Sequence, residues 1–66
     1  MDATINGEPR TVDAGTTIAT LLAELGVEAR GIAVAVNEQI VRKSAFDGHT
    51  LADGDAVEII RAVAGG

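Results

Sequence analysis

The spacing of hydrophobic residues changes along the chain, and each spacing predicts a different element. Residues 2–6 alternate between polar and apolar side chains, which is the two-residue period of a half-buried strand. The Asn6-Gly7 pair favours a tight hairpin, because both residues tolerate the positive φ angles of a type I′ turn. A short return strand is therefore expected over residues 10–12, with Pro9 at its start, where a missing N–H is tolerated.

The next segment has the period of a helix. Its large aliphatic residues fall three and four positions apart and share one helical face: Ile18, Leu21, Leu22 and Leu25. Thr16 or Thr17 can cap the first turn through its hydroxyl group. Gly26 stands where a left-handed residue commonly ends a helix. The pattern predicts an amphipathic helix over residues 17–25.

The second half of the chain predicts three more strands. Residues 32–36 are apolar on both faces, with alanines on one side, and this is typical of an interior strand. A turn at residues 37–38 leads into a short strand over 39–41. Residues 42–50 are expected to be irregular, with Phe46 as the anchor into the core. After an Asp-Gly-Asp turn, the last strand runs from residue 56 to about 62.

These elements predict one sheet with one face covered by a single helix, because a strand–strand–helix–strand–strand–strand order leaves few other compact solutions. The expected core consists of large aliphatic residues from the helix and from the sheet face that it covers: Ile5, Leu21, Leu22, Val34, Val36, Val57 and Ile59. In the last strand Glu58 marks the opposite face as solvent-exposed, so Ile60 on that same face is out of place.

Composition and charge narrow the function classes. Ten acidic and five basic residues give a net charge of −5, which disfavours nucleic-acid binding and favours partners with a basic face. The acidic, polar start resembles no secretory signal, and the longest apolar run, residues 32–36, is too short to span a bilayer. We therefore expect a soluble, cytoplasmic protein with no membrane partner.

Side chains for catalysis are scarce. The chain has one histidine and no cysteine, tyrosine or tryptophan, so it can assemble neither a catalytic triad nor a zinc cluster. His49 is interpreted as a solvated loop residue, and Asp53 and Asp55 as turn residues rather than metal ligands. An enzyme with its own active site is therefore disfavoured, and no bound metal or cofactor is expected.

The end of the chain is unusual. Residues 62–66 read Ala-Val-Ala-Gly-Gly, which is more apolar than an ordinary solvated tail. Gly65 and Gly66 have no side chain that would clash in a narrow channel. At about 3.3 Å per residue, an extended segment of this length reaches roughly 16 Å. Such a tail can enter the active site of another protein.

Several strings, in order and spacing, resemble the ubiquitin-like sulfur carriers, and among them the ThiS-type carriers of thiamine biosynthesis. They are INGEP, TTIATLLAELG, AVAVNEQIV, HTLADGD and the terminal AGG. The resemblance covers essentially the whole chain. It implies an α+β, ubiquitin-like β-grasp fold, with one mixed sheet of four to five strands wrapped around a single main helix. It divides the chain into a β-grasp domain over residues 1–61 and a flexible reactive tail over residues 62–66.

The resemblance also implies a mechanism and its partners. An E1-like, ThiF-type adenylating enzyme would use ATP-Mg to adenylate the carboxylate of Gly66, with Gly65 as the clearance residue behind it. A cysteine desulfurase system would supply the sulfur that converts Gly66 to a thiocarboxylate. A ThiG-type thiazole synthase would then receive the sulfur. The chain would thus be a carrier, a protein co-substrate of both enzymes.

The expected partner interface is apolar. Ile60 on a charged face is a candidate anchor, with Val63 and Ala64 of the tail beside it. Three alternatives to a thiazole carrier stay open. They are a carrier for molybdopterin or another pathway, a ubiquitin-like modifier joined to lysines through Gly66, and a β-grasp interaction module.

Overall fold

The computed structural model describes residues 1–61, which form a five-stranded sheet packed against one α-helix. The elements in chain order are β1 (Asp2–Ile5), β2 (Glu8–Thr11), α1 (Ile18–Leu25), β3 (Ile32–Val36), β4 (Gln39–Val41) and β5 (Ala56–Arg61). A short 3-10 helix, Lys43–Ala45, lies in the segment expected to be irregular. The predicted β-grasp architecture is confirmed, with five strands.

The β1–β2 hairpin follows from its two-residue turn. Asn6 and Gly7 have φ angles of 52° and 83°, the positive values that a type I′ turn requires. The return strand begins two residues earlier than predicted and includes Pro9, which lies opposite Thr4. Proline is tolerated there because β2 is the edge strand of the sheet.

Helix α1 begins and ends where its capping residues predict. The Thr17 hydroxyl accepts a hydrogen bond from the Thr20 backbone N–H at 3.1 Å. Gly26 has a left-handed φ of 69°, and its N–H donates to the carbonyl of Ala23 at 3.1 Å. Local sequence therefore determines both ends of the helix.

The strand order is β2-β1-β5-β3-β4, so the last strand lies in the middle of the sheet. Strand β5 runs parallel to β1 and antiparallel to β3. The hairpins β1–β2 and β3–β4 occupy the two sides. Residues 62–66 therefore follow directly from the central strand.

The core lies between the sheet and α1. Six of the seven predicted core residues are buried, and other buried apolar residues join them: Ala3, Val12, Ile18, Phe46 and Leu51. Phe46 is 4% exposed, which confirms it as the anchor of its segment. The prediction for Ile59 holds in part: this residue packs against the core but is only half-buried. It lies in a groove with Leu25 and Ile32, beyond the end of β1, where fewer side chains cover the sheet.

Within residues 1–61, none of the helices has the length and apolar character needed to cross a membrane.

Candidate functional site

The candidate reactive segment lies outside the described residues. This applies to Gly66 and Gly65, and to Val63 and Ala64 of the expected interface. The structure does describe the strand from which that segment continues, and β5 ends at Arg61. The geometry and surface of β5 therefore define the base of the site.

Strand β5 is paired unequally on its two sides. Five of its residues, from Val57 to Arg61, pair with β3 over the full length of that strand. On its other side, β5 pairs with β1 only at Thr4↔Ala56 and Ile5↔Val57. The C-terminal half of β5 therefore has a neighbouring strand on one side only.

The start of β5 is held by a side-chain network. The amide of Asn37 accepts from the Ala56 N–H at 3.0 Å and donates to the Asp55 carboxylate at 3.0 Å. Asp55 also accepts from the Ala52 N–H at 2.8 Å, and Asp53 accepts from the Asp2 N–H at 2.8 Å. These contacts confirm that the two aspartates are turn residues, and they fix where β5 begins.

The outer face of the sheet, opposite α1, carries an exposed apolar surface. Ile60 is 51% exposed, as its position beside Glu58 predicts. Ile40 is 68% exposed and was not predicted as part of the site. Cross-strand pairing places Ala33 opposite Ile60 and Ala35 opposite Ile40, on the same face. We call these four residues the outer patch.

A signal for Ile40 was present in the sequence. A two-residue turn after β3 pairs Val36 with Gln39, and it therefore pairs Ala35 with Ile40. Because the alanines of β3 were already expected to share one side of the strand, that register places Ile40 on the alanine side. The outer patch consists of an alanine floor, in which Ala35 is only 6% exposed, between two projecting isoleucines. Glu58 lies on the same face, opposite Ala35, so the isoleucines supply the surface that an apolar partner can bury.

Among residues 1–61, no cluster of side chains suitable for holding a metal ion is present. His49 is half-buried rather than fully solvated, and its backbone carbonyl accepts from the Ile18 N–H at 3.1 Å. That bond joins the loop before β5 to the first residue of α1. In the described part of the chain, the features suited to function are thus the outer patch and the strand leading to Gly66.

Comparison with known proteins agrees with this geometry. The ThiS family model matches residues 3–66. A sulfur carrier protein ThiS from Thermus thermophilus is 40% identical over 62 residues, covering 94% of this chain and 95% of that protein. The crystal structure of a thiamine biosynthesis protein (ThiS) from Geobacter metallireducens is 39% identical, with full coverage of both chains and a TM-score of 0.87.

One relative is much longer than this chain. A thiazole synthase from Paramagnetospirillum magneticum is 44% identical over 66 residues, which are 100% of this chain. The chain spans 20% of the length of that protein.

Proposed function

The chain belongs to the ThiS family, and from this premise we propose that it carries sulfur as a thiocarboxylate on Gly66 and delivers it to a thiazole synthase. As a ThiS-type protein it is a sulfur carrier of thiamine biosynthesis and not a catalyst. The observation that carries the proposal is the family match, which extends through both terminal glycines of the sequence.

The proposed chemistry requires an activated carboxylate, because a carboxylate oxygen is a poor leaving group. A Gly66 oxygen attacks the α-phosphate of ATP, pyrophosphate leaves, and an acyl adenylate forms. ATP and Mg²⁺ bind to the adenylating enzyme, a partner of the ThiF type. The terminal sulfur of a persulfide, supplied by a cysteine desulfurase, then displaces AMP. A thiol reductant cleaves the resulting S–S bond and leaves the thiocarboxylate.

The residues of the chain suit this role through their position and their lack of competing groups. With no cysteine in the sequence, sulfur cannot be held on a side-chain thiol, so the terminal carboxylate is the candidate carrier group. Gly65 has no side chain, so no bulky group lies next to the reacting carbonyl. The segment continues from the central strand of the sheet, which gives the reacting end a rigid base.

Thiazole synthase is the proposed acceptor. A protein of that name contains a region 44% identical to this whole chain, together with a much longer remainder. The presence of a carrier-like region in a protein named as a synthase supports the proposal that the separate carrier delivers its sulfur to a ThiG-type synthase. Its thiocarboxylate sulfur would be taken up while the thiazole ring is built.

We assign the outer patch as the surface that docks on the adenylating enzyme. Exposed isoleucines on a sheet face are candidate anchors because burying them on binding is favourable. Ile60 is only two positions from residue 62, where the reactive segment begins. We therefore expect an enzyme that accepts the segment in its active site to contact the outer patch as well.

Ile60→Asp is expected to raise the KM for the carrier about thirtyfold or more, because truncating or charging a central anchor costs about 2 kcal/mol or more. Ile40→Asp should act in the same direction, since both isoleucines flank the alanine floor. The assay is carrier-dependent ATP–pyrophosphate exchange by the adenylating enzyme.

Ala14→Asp is the matched control, because it introduces the same charge at an exposed loop position between β2 and α1. It should leave the KM within about twofold of wild type, as expected for a surface change away from contacts. An unchanged KM in both isoleucine variants would contradict the assignment of the outer patch.

A cell-extract experiment separates the carrier from a lysine modifier. The chain is incubated with extract, ATP and cysteine, and its products are identified by intact-protein mass spectrometry. The proposal predicts a product in which one carboxylate oxygen is replaced by sulfur. Isopeptide adducts with lysines of other proteins, without any thiocarboxylate, would instead identify a modifier.

A further inference from the structure

Asn6 makes a contact that its role in the hairpin turn does not require. Its side-chain oxygen accepts a hydrogen bond from the backbone N–H of Ile59 at 2.7 Å. The two residues are 53 positions apart, and Ile59 lies in β5. The contact therefore joins the first hairpin to the part of the central strand that leads to Gly66.

The position of this bond continues the ladder between β1 and β5. The Thr4 N–H donates to the Asp55 carbonyl at 3.0 Å, and the Asn6 N–H donates to the Val57 carbonyl at 2.8 Å. After Asn6 the backbone of β1 turns away, since residues 6–7 form the type I′ turn. The next backbone N–H of β5 that points to this side belongs to Ile59, and it donates to the side-chain oxygen of Asn6. A side-chain carbonyl thus takes the place of a backbone carbonyl.

We propose that Asn6 is a positioning residue for the reactive terminus: its bond ties the last half of β5, which β1 does not reach, to the first hairpin and so fixes the end of the strand from which the terminus continues. The functional part of this inference rests on the proposed role of Gly66. Reaction at the α-phosphate requires a near-attack geometry, so a small shift of the end of β5 lowers the rate of the chemical step. Ile60 keeps its pairing with Ala33 of β3 when the Asn6 bond is lost, so docking through the outer patch should be little affected.

Two substitutions separate the turn from the side-chain bond. Asn6→Gly keeps the turn, because glycine adopts the positive φ of 52° without strain, but it removes the acceptor. Asn6→Asp keeps both an acceptor and a residue that tolerates this conformation. Amide hydrogen exchange of Ile59 should become about fivefold faster in Asn6→Gly, as expected for loss of one exposed hydrogen bond, and should stay near wild type in Asn6→Asp.

Asn37→Gly is the matched control. Asn37 also lies in a turn with positive φ, 51°, and its side chain bonds the other end of β5, at Ala56. This variant should speed exchange of the Ala56 amide without affecting Ile59. Both glycine variants lose side-chain bonds to the same strand, so the comparison controls for a general loss of stability.

The kinetic test measures carrier-dependent ATP–pyrophosphate exchange with the ThiF-type enzyme. Asn6→Gly should lower kcat about tenfold, with the KM for the carrier within about twofold of wild type. Asn6→Asp should restore kcat, and Asn37→Gly should leave it near the wild-type value. Equal kcat values in wild type and Asn6→Gly, or equal losses in both glycine variants, would overturn the positioning role. Absence of any exchange with the wild-type carrier would instead contradict the proposed function, and amide exchange alone would then show whether Asn6 holds β5.

Discussion

Deletion of Gly66 is expected to abolish formation of the thiocarboxylate. The deletion withdraws the terminal carboxylate by about 3.3 Å, the length of one extended residue, and so removes it from the attacking position. Adding one residue after Gly66 should have the same result, because the activated carbonyl would no longer belong to that glycine. The measurement is intact-protein mass spectrometry after incubation with the adenylating enzyme, ATP, cysteine, desulfurase and a thiol reductant.

Gly65→Val provides a graded comparison in the same assay. A β-branched side chain restricts the backbone and χ1 next to the reacting carbonyl, so this variant should bind the adenylating enzyme but react slowly. All three variants should unfold at the wild-type temperature, since the changes lie beyond β5 and outside the core of residues 1–61. A deletion variant that gains sulfur as readily as wild type would refute the assignment of Gly66.

The second large effect is expected on stability. Leu22 is 3% exposed on the face of α1 that packs against the sheet. Leu22→Ala should reduce the free energy of unfolding by about 2–5 kcal/mol, because the cavity adds to the lost burial of the side chain. That loss approaches the whole stability expected of a small domain, about 5 kcal/mol at the lower end.

Leu25→Ala is the matched control on the same helix, because Leu25 is half-buried and lines the groove beside Ile59. Leu25→Ala should lower the free energy of unfolding by less, about 1–2 kcal/mol, because a half-buried side chain removes less apolar surface from water when the protein folds. Urea unfolding followed by circular dichroism measures both variants. An equal midpoint for Leu22→Ala and wild type would contradict the described core.

Most of the fold was predictable because its elements are determined locally. The Asn6-Gly7 pair specifies a type I′ turn, and Thr17 and Gly26 cap the helix as expected. The turn after β3 is harder to predict from its sequence, because Glu38 adopts a positive φ of 69°, a conformation that favours glycine or asparagine. Its partner Asn37 is bonded to Ala56 by both backbone and side chain, and this tertiary contact holds the turn.

The features that were missed depend on how the strands are arranged. The half-burial of Ile59 follows from the early end of β1, which pairs with β5 only as far as Val57. The Asn6–Ile59 bond joins residues far apart in the chain, so no local pattern indicates it. Ile40 could have been assigned to the exposed face from the hairpin register. For the site, the exposure of Ile60 is confirmed, whereas its role in docking and the roles of Gly65 and Gly66 stay predictions.

The location of the transferred sulfur is the most direct test of the carrier mechanism. The chain is loaded by the adenylating enzyme, ATP, the desulfurase system and cysteine labelled with a heavy sulfur isotope, and the intact product is fragmented in the mass spectrometer. The carrier mechanism predicts the label in fragments that contain Gly66 and in none that end before it. Label on any internal fragment, or a loaded product whose Gly66 carries only oxygen, would contradict the carrier mechanism.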